Sequence, residues 1–186
     1  AKFEPENNTL VEYWIPTQNP LWGRCPEDNG NSSQCGIANA LQFDVDIGED
    51  GNKEVWFTEW TENKIGRILA EKPLPFSVAV SSPQSREITV DRGDTADIQL
   101  NLEANMDNIS NLEMRSSGSF SPSGSIVNAT GIFSEQTVSL QDEGDSKQVS
   151  FFFSPQANLR PGNYTLMLGA ETESVSILKG LKVEVI

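Results

Sequence analysis

The chain of 186 residues contains no histidine, only two cysteines, and no apolar run long enough to cross a membrane as a helix. Each absence narrows what it can do. Without imidazole, the common serine and cysteine nucleophile arrangements lack their base, and the serine-rich stretch RSSGSFSPSGS (115–125) has no G-x-S-x-G elbow either. That stretch reads as a loop. Positive charge is scarce as well: 13 Lys and Arg stand against 27 Asp and Glu, a formal charge of −14. Gripping phosphates needs a concentrated basic face, so nucleic acid is excluded as a partner and a membrane enters only indirectly. The acidic residues are spread along both halves of the chain, as in a solvated surface, and do not form a tail.

Cys25 and Cys35 enclose a loop of Pro, Glu, Asp, Asn, Gly and Ser with almost no apolar content. A disulfide is the expected link, because no further cysteine or histidine is present to complete a tetrahedral metal site. Asn7, Asn31, Asn108, Asn128 and Asn163 each begin an N-x-Ser/Thr triplet and are glycosylation candidates. Together these features predict an extracellular or cell-surface location. The opening residues AKFEPENN do not read as a signal peptide, so a secreted form is expected to be a mature chain or a fragment of one.

Helical periodicity is nearly absent, and short runs with every second residue apolar recur between turn residues, which predicts an all-β fold. LVEYWIP (10–16), ALQFDVDI (40–47), EVWFTEW (54–60) and KIGRILA (64–70) read as four strands of one antiparallel sheet. GEDGN and TEN supply the tight turns after the second and third of them. Beyond EKPLPF, nine further runs follow at short intervals, the spacing of a two-sheet, Ig-like sandwich. A boundary near Pro75 therefore divides residues 1–75 from residues 76–186.

The stretch GEDGNKEVWFTEWTENKIGRI resembles a blade of the streptogramin (virginiamycin B) lyase-like β-propellers, whose blades repeat a turn, a WFTE strand and an NKIGRI strand. Residues 76–186, with SPQSREITVDRGDTADIQLNL and RPGNYTLMLGA, are similar to the Ig-like modules of bacterial and archaeal surface proteins. The resemblance implies a partial propeller of about one blade plus one closing strand, followed by an Ig-like β-sandwich. On it, Leu10–Pro16 closes a preceding blade and Ala40–Ile68 supplies the inner strands of the next. Trp56 would then point between adjacent sheets, Phe57 to the opposite face, and Glu59 toward the channel end. Trp14, Trp22, Trp56, Phe57 and Trp60 are the interface candidates, with stacking on surface glycans by Trp14, Trp22 and Trp60 as the other use of the aromatics.

Chemistry is harder to place. The lyase reaction, as the resemblance implies it, needs a histidine base and a magnesium ion, and this chain lacks the histidine. Asp44, Asp46, Asp50 and Glu59 are the oxygen donors that calcium or magnesium would use. The spacing of DVDIGEDGNKE fails the EF-hand pattern, however, and reads as a solvated hairpin, so no cofactor is expected. The function expected is therefore a non-catalytic extracellular structural or interaction protein that docks or spaces within a surface assembly. Its partners would be other subunits or upstream propeller blades. The alternative is the C-terminal fragment of a lyase-like propeller enzyme whose catalytic residues lie upstream of Ala1.

Overall fold

The structure, a computed structural model, describes residues 1–17, 39–116, 119–120, 126–127 and 131–186. The expected all-β class holds: the described residues contain strands and turns and no helix. They divide into two compact units. One comprises Ala1–Glu12, Leu74–Thr172 and Ser176–Ile186, and the other Tyr13–Pro73 with Glu173–Val175.

The larger unit has two sheets. Its four-stranded sheet runs β12 (Gly131–Phe133), β14 (Ser146–Phe153), β8 (Ala96–Ala104), β6 (Phe76–Ser82), all antiparallel. Strict alternation explains its buried face: Ile98, Leu100, Leu102 and Ala104 of β8, Val149, Phe151 and Phe153 of β14, and Phe76 and Val78 of β6 are all buried. The second sheet is built on the long hairpin of β15 (Gly162–Glu171) and β16 (Val175–Val185). β9 (Ile109–Ser116) pairs with β15 and with β13 (Thr137–Leu140), and β10 (Ser119–Phe120) joins β15 to β11 (Ile126–Val127). On the other side β16 takes β2 (Thr9–Tyr13), which pairs with β1 (Lys2–Glu4), and a parallel partner, β7 (Glu87–Val90). Leu166, Leu168, Ala170, Leu181, Val183 and Val185 form the buried row of the hairpin. The arrangement is sandwich-like, with apolar rows on both sheets.

Two local devices fix this unit. The hydroxyl of buried Tyr164 donates to the carbonyl of Arg160 at 2.6 Å, tying the start of β15 to the turn before it. Phe133 and Phe151 stack at 4.7 Å between centroids with a 51° tilt, and the Phe151 ring also lies over Gly131, where a Cβ would collide with it.

Two expectations are corrected here. The first concerns the strand near residues 10–16, read as part of the sheet of residues 40–70. Instead Thr9–Tyr13 joins the edge of the larger unit beside β16, because Thr9 and Val11 are both buried there. The second concerns the segment 1–75: its first twelve residues belong with the sandwich-like unit, while the break expected near Pro75 falls between Pro73 and Leu74.

Candidate functional site

The smaller unit contains a three-stranded antiparallel sheet of β3 (Ala40–Ile47), β4 (Lys53–Glu59) and β5 (Lys64–Leu69). Its two turns form as the sequence requires. Gly48 donates to the carbonyl of Asn52, Gly51 adopts a φ of 80°, and Asn63 supplies the left-handed residue of the second turn at 52°.

Register assigns the faces. Phe43 pairs with Phe57 and Phe57 with Gly66, while Asp44 pairs with Trp56 and Trp56 with Arg67. Residues directly opposite share a face, so Phe43, Val45, Val55, Phe57, Glu59, Gly66 and Ile68 line one side, and Asp44, Asp46, Glu54, Trp56 and Arg67 the other. Trp56 and Phe57 thus point in opposite directions, as neighbours on a strand must.

On the first side the Phe57 ring lies over Gly66. A Cβ built on Gly66 would come within 2.6 Å of Phe57 Cε2 and 2.7 Å of Cε1, and nearer still to Cζ. The glycine of NKIGRI is therefore a seat for the phenylalanine of WFTE, and Phe57 is buried. Glu59 is also buried and accepts a hydrogen bond from the Thr17 hydroxyl. On the second side Trp56 donates its indole N–H to Glu54 Oε2 at 3.1 Å, and Arg67 bonds Glu54 Oε1 at 3.2 Å with its guanidinium 5.5 Å from the Trp56 ring. One carboxylate holds both the ring edge and the cation above it, an arrangement whose cation–π part contributes about 0.5–1 kcal/mol at a partly exposed site.

The acidic hairpin uses its oxygens locally. Asp44 Oδ1 and Asp46 Oδ1 each accept from the next residue's N–H, at 2.9 and 2.8 Å. Asp50 takes both the backbone and side-chain N–H groups of Asn52, which hold its carboxyl below the usual range. Among the described residues no group of three or more His, Cys, Asp or Glu side chains converges as metal ligands would. Asp44, Asp46, Asp50 and Glu59 are not brought together.

What the sheet offers is apolar surface. Phe43 is 77% exposed, Ile65 73%, Trp60 63%, and Leu41, Val45 and Ile47 between 55% and 58%. Trp56 keeps 39% exposure despite its partners. Leu41, Phe43, Trp56, Phe57 and Ile65 border a shallow depression of about 630 Å³. Of the aromatic interface candidates, Trp60 and Trp56 lie open and Phe57 does not. Trp14 is half-buried, its backbone N–H bonded to the Ser174 carbonyl at 2.9 Å. Trp22, Cys25, Asn31, Cys35 and Asn128 lie outside the described residues. Asn108 and Asn163 are exposed, whereas Asn7 donates its amide to Glu4 at 2.9 Å and has a buried Thr9 beside it. Sequence reasoning missed Phe43, Val45, Ile47 and Ile65 as surface. The alternation of Phe43, Val45 and Ile47 with Asp44 and Asp46 signals an apolar face on β3, but not that it stays open, and Ile65 lies on the other side of the sheet.

No family model matches the chain, and no curated protein matches it. Solved structures with partial likeness include a family 123 glycoside hydrolase from Clostridium perfringens, at 11% identity and a TM-score of 0.46, covering 61% of this chain and 27% of that one. A PapD-like domain of human CEP192 gives 16% and 0.40, with 63% and 90% covered. Domains 4 and 5 of the S-layer protein SbsC give 13% and 0.37, with 73% and 66% covered. The chain thus spans about a quarter of the hydrolase's length. Likenesses this distant bear on neither activity nor partner.

Proposed function

We propose that this protein is a non-catalytic, extracellular structural or interaction module whose three-stranded sheet packs against another β-sheet within a larger surface assembly. In this reading the sheet is a propeller-blade-like element, in keeping with its resemblance to streptogramin-lyase-like blades, and its cover is a neighbouring blade or subunit. The larger, sandwich-like unit is an Ig-like spacer. The observation that carries the reading is the row of exposed Phe43, Val45 and Ile47 on one face of a strand of eight residues, with exposed Trp56 and Ile65 on the other face of the sheet. Contiguous apolar surface of this kind marks interaction sites. The placement of Glu59, held by Thr17 in a buried setting, supports a structural role for that carboxylate. The exposed sequons at Asn108 and Asn163 fit an extracellular surface.

Light scattering on material isolated from the natural source tests it. The protein is expected in a complex larger than the single chain, and Phe43→Glu is expected to release it, because the charge would be buried unpaired. A native monomer, or a complex indifferent to Phe43→Glu, overturns the proposal.

A further inference from the structure

Sheet edges expose unpaired N–H and C=O groups, and folded proteins guard them with charge, shortness, proline or bulges. In this chain most edges are guarded. β3 carries Asp44 and Asp46, β5 carries Lys64 and Arg67, and β1 is three residues long with Lys2 and Glu4. β7 and β13 are four residues each and β12 is three. β6 is the exception: FSVAVSS is seven residues long, holds no charged side chain, and has β8 as its neighbour on one side and none on the other among the described residues. Its guards, a register shift between Val80 and Ser82 and the flanking Pro75 and Pro83, all lie outside the regular stretch Phe76–Val80.

The strand is also close to chemically symmetric about its centre. Placed antiparallel to a copy of itself about Ala79, it sets Val78 against Val80, Ser77 against Ser81 and Ala79 against Ala79. Over the regular stretch even-numbered positions meet even-numbered ones, so buried Val78 lies against half-buried Val80 of the copy and exposed Ala79 against its counterpart, while Phe76 falls opposite Ser82, beyond the register shift. No like charges meet across the seam. We propose that β6 pairs with β6 of a second copy of this chain about a twofold axis at Ala79, joining two four-stranded sheets into one of eight strands. Such an isologous contact is the commonest form of homodimer. A single strand pair about 23 Å long buries less than the roughly 1,200 Å² of standard stable interfaces, so the dimer is weak and concentration-dependent. Each copy carries −14, so salt strengthens the association by screening that repulsion.

The inference is independent of the role proposed for the three-stranded sheet, and sedimentation velocity on the full chain at rising concentration separates the two. The wild type is expected to move toward twice the monomer mass, more readily at higher salt, with slowed amide exchange across Phe76–Ser82. Ala79→Lys and Ala79→Glu, both at an exposed position, are expected to remain monomers alone and to form a dimer when mixed one to one. A wild type that is monomeric throughout, or a dimer that Ala79→Lys leaves intact, overturns the pairing. Association abolished by Phe43→Glu and untouched by Ala79→Lys also overturns it, while leaving the three-stranded sheet as the contact surface.

Discussion

Replacing Gly66 with alanine tests whether the glycine serves as a seat for Phe57. The added Cβ would sit 2.6 and 2.7 Å from the two Cε atoms, where carbon contacts ordinarily settle at about 3.5–4.0 Å. The ring must therefore retreat by about 1 Å or swing away. Retreat is overpacking, at about 1–3 kcal/mol, and swinging away exposes a buried phenylalanine, at about 1.5–3 kcal/mol. Relief of glycine's backbone entropy returns about 0.5–1 kcal/mol, which leaves a net loss of about 1–2 kcal/mol. All four tryptophans lie between residues 14 and 60, inside the Tyr13–Pro73 segment, so tryptophan fluorescence during denaturation reports the smaller unit selectively. The fluorescence transition should move to lower denaturant while the far-ultraviolet signal of the larger unit stays put. A second variant makes the reasoning sharper. In Phe57→Ala the ring is gone, so adding Gly66→Ala should cost almost nothing more, and the double-mutant cycle should show a coupling of at least about 1 kcal/mol. Additive losses, or no shift for Gly66→Ala alone, would refute the seat.

The larger unit carries two further tests. Tyr164→Phe removes the bond to the carbonyl of exposed Arg160 and should destabilise that unit by about 0.5–1.5 kcal/mol, read by circular dichroism in denaturant; an unchanged midpoint would mean the turn is held by other contacts. Lys179 is half-buried, donates to the Thr9 hydroxyl, and has its pKa lowered first by desolvation and then by Arg86. A lowered lysine pKa means the folded state binds fewer protons than the unfolded one. The charge therefore costs stability below the folded pKa, and that cost disappears as pH rises from there toward 10.5. Lys179→Met should accordingly be more stable than wild type at neutral pH, with the gap closing in that alkaline window; a gap constant with pH would contradict the assignment.

Much of this fold was legible in the sequence because its signals are local. Alternation located β3 to β5 and most of the strands beyond Pro75, though β10 falls in RSSGSFSPSGS, read as a loop, and IVNATGIF holds two strands, β11 and β12; GEDGN marked a hairpin because Gly51 has to adopt positive φ. Partner choice is not local. Nothing in TLVEY says that it will lie beside β16, some 170 positions later, instead of beside ALQFDVDI. The site divides in the same way. Trp56 and Phe57 were assigned to opposite faces from strand period alone, while the Glu54, Trp56 and Arg67 cluster depends on a register that brings Arg67 across from Trp56. The openness of Phe43 depends on what stands over it, which no pattern within the strand records.

The bond from Lys179 to Thr9 spans 170 positions, and the Arg86 guanidinium reaches the Asn7 carbonyl across 79. Between β2 and β6 the chain runs through the whole of Tyr13–Pro73. During synthesis, β1 and β2 leave the ribosome long before β16, the partner of β2, has been made. The intervening sheet, with contacts a dozen or so residues apart, can form in the meantime, whereas closing the larger unit requires a very long loop to be brought together. Folding of the larger unit thus waits on the emergence of β16, and β2, with Val11 uncovered until β16 arrives, is the segment most in need of protection in the interval.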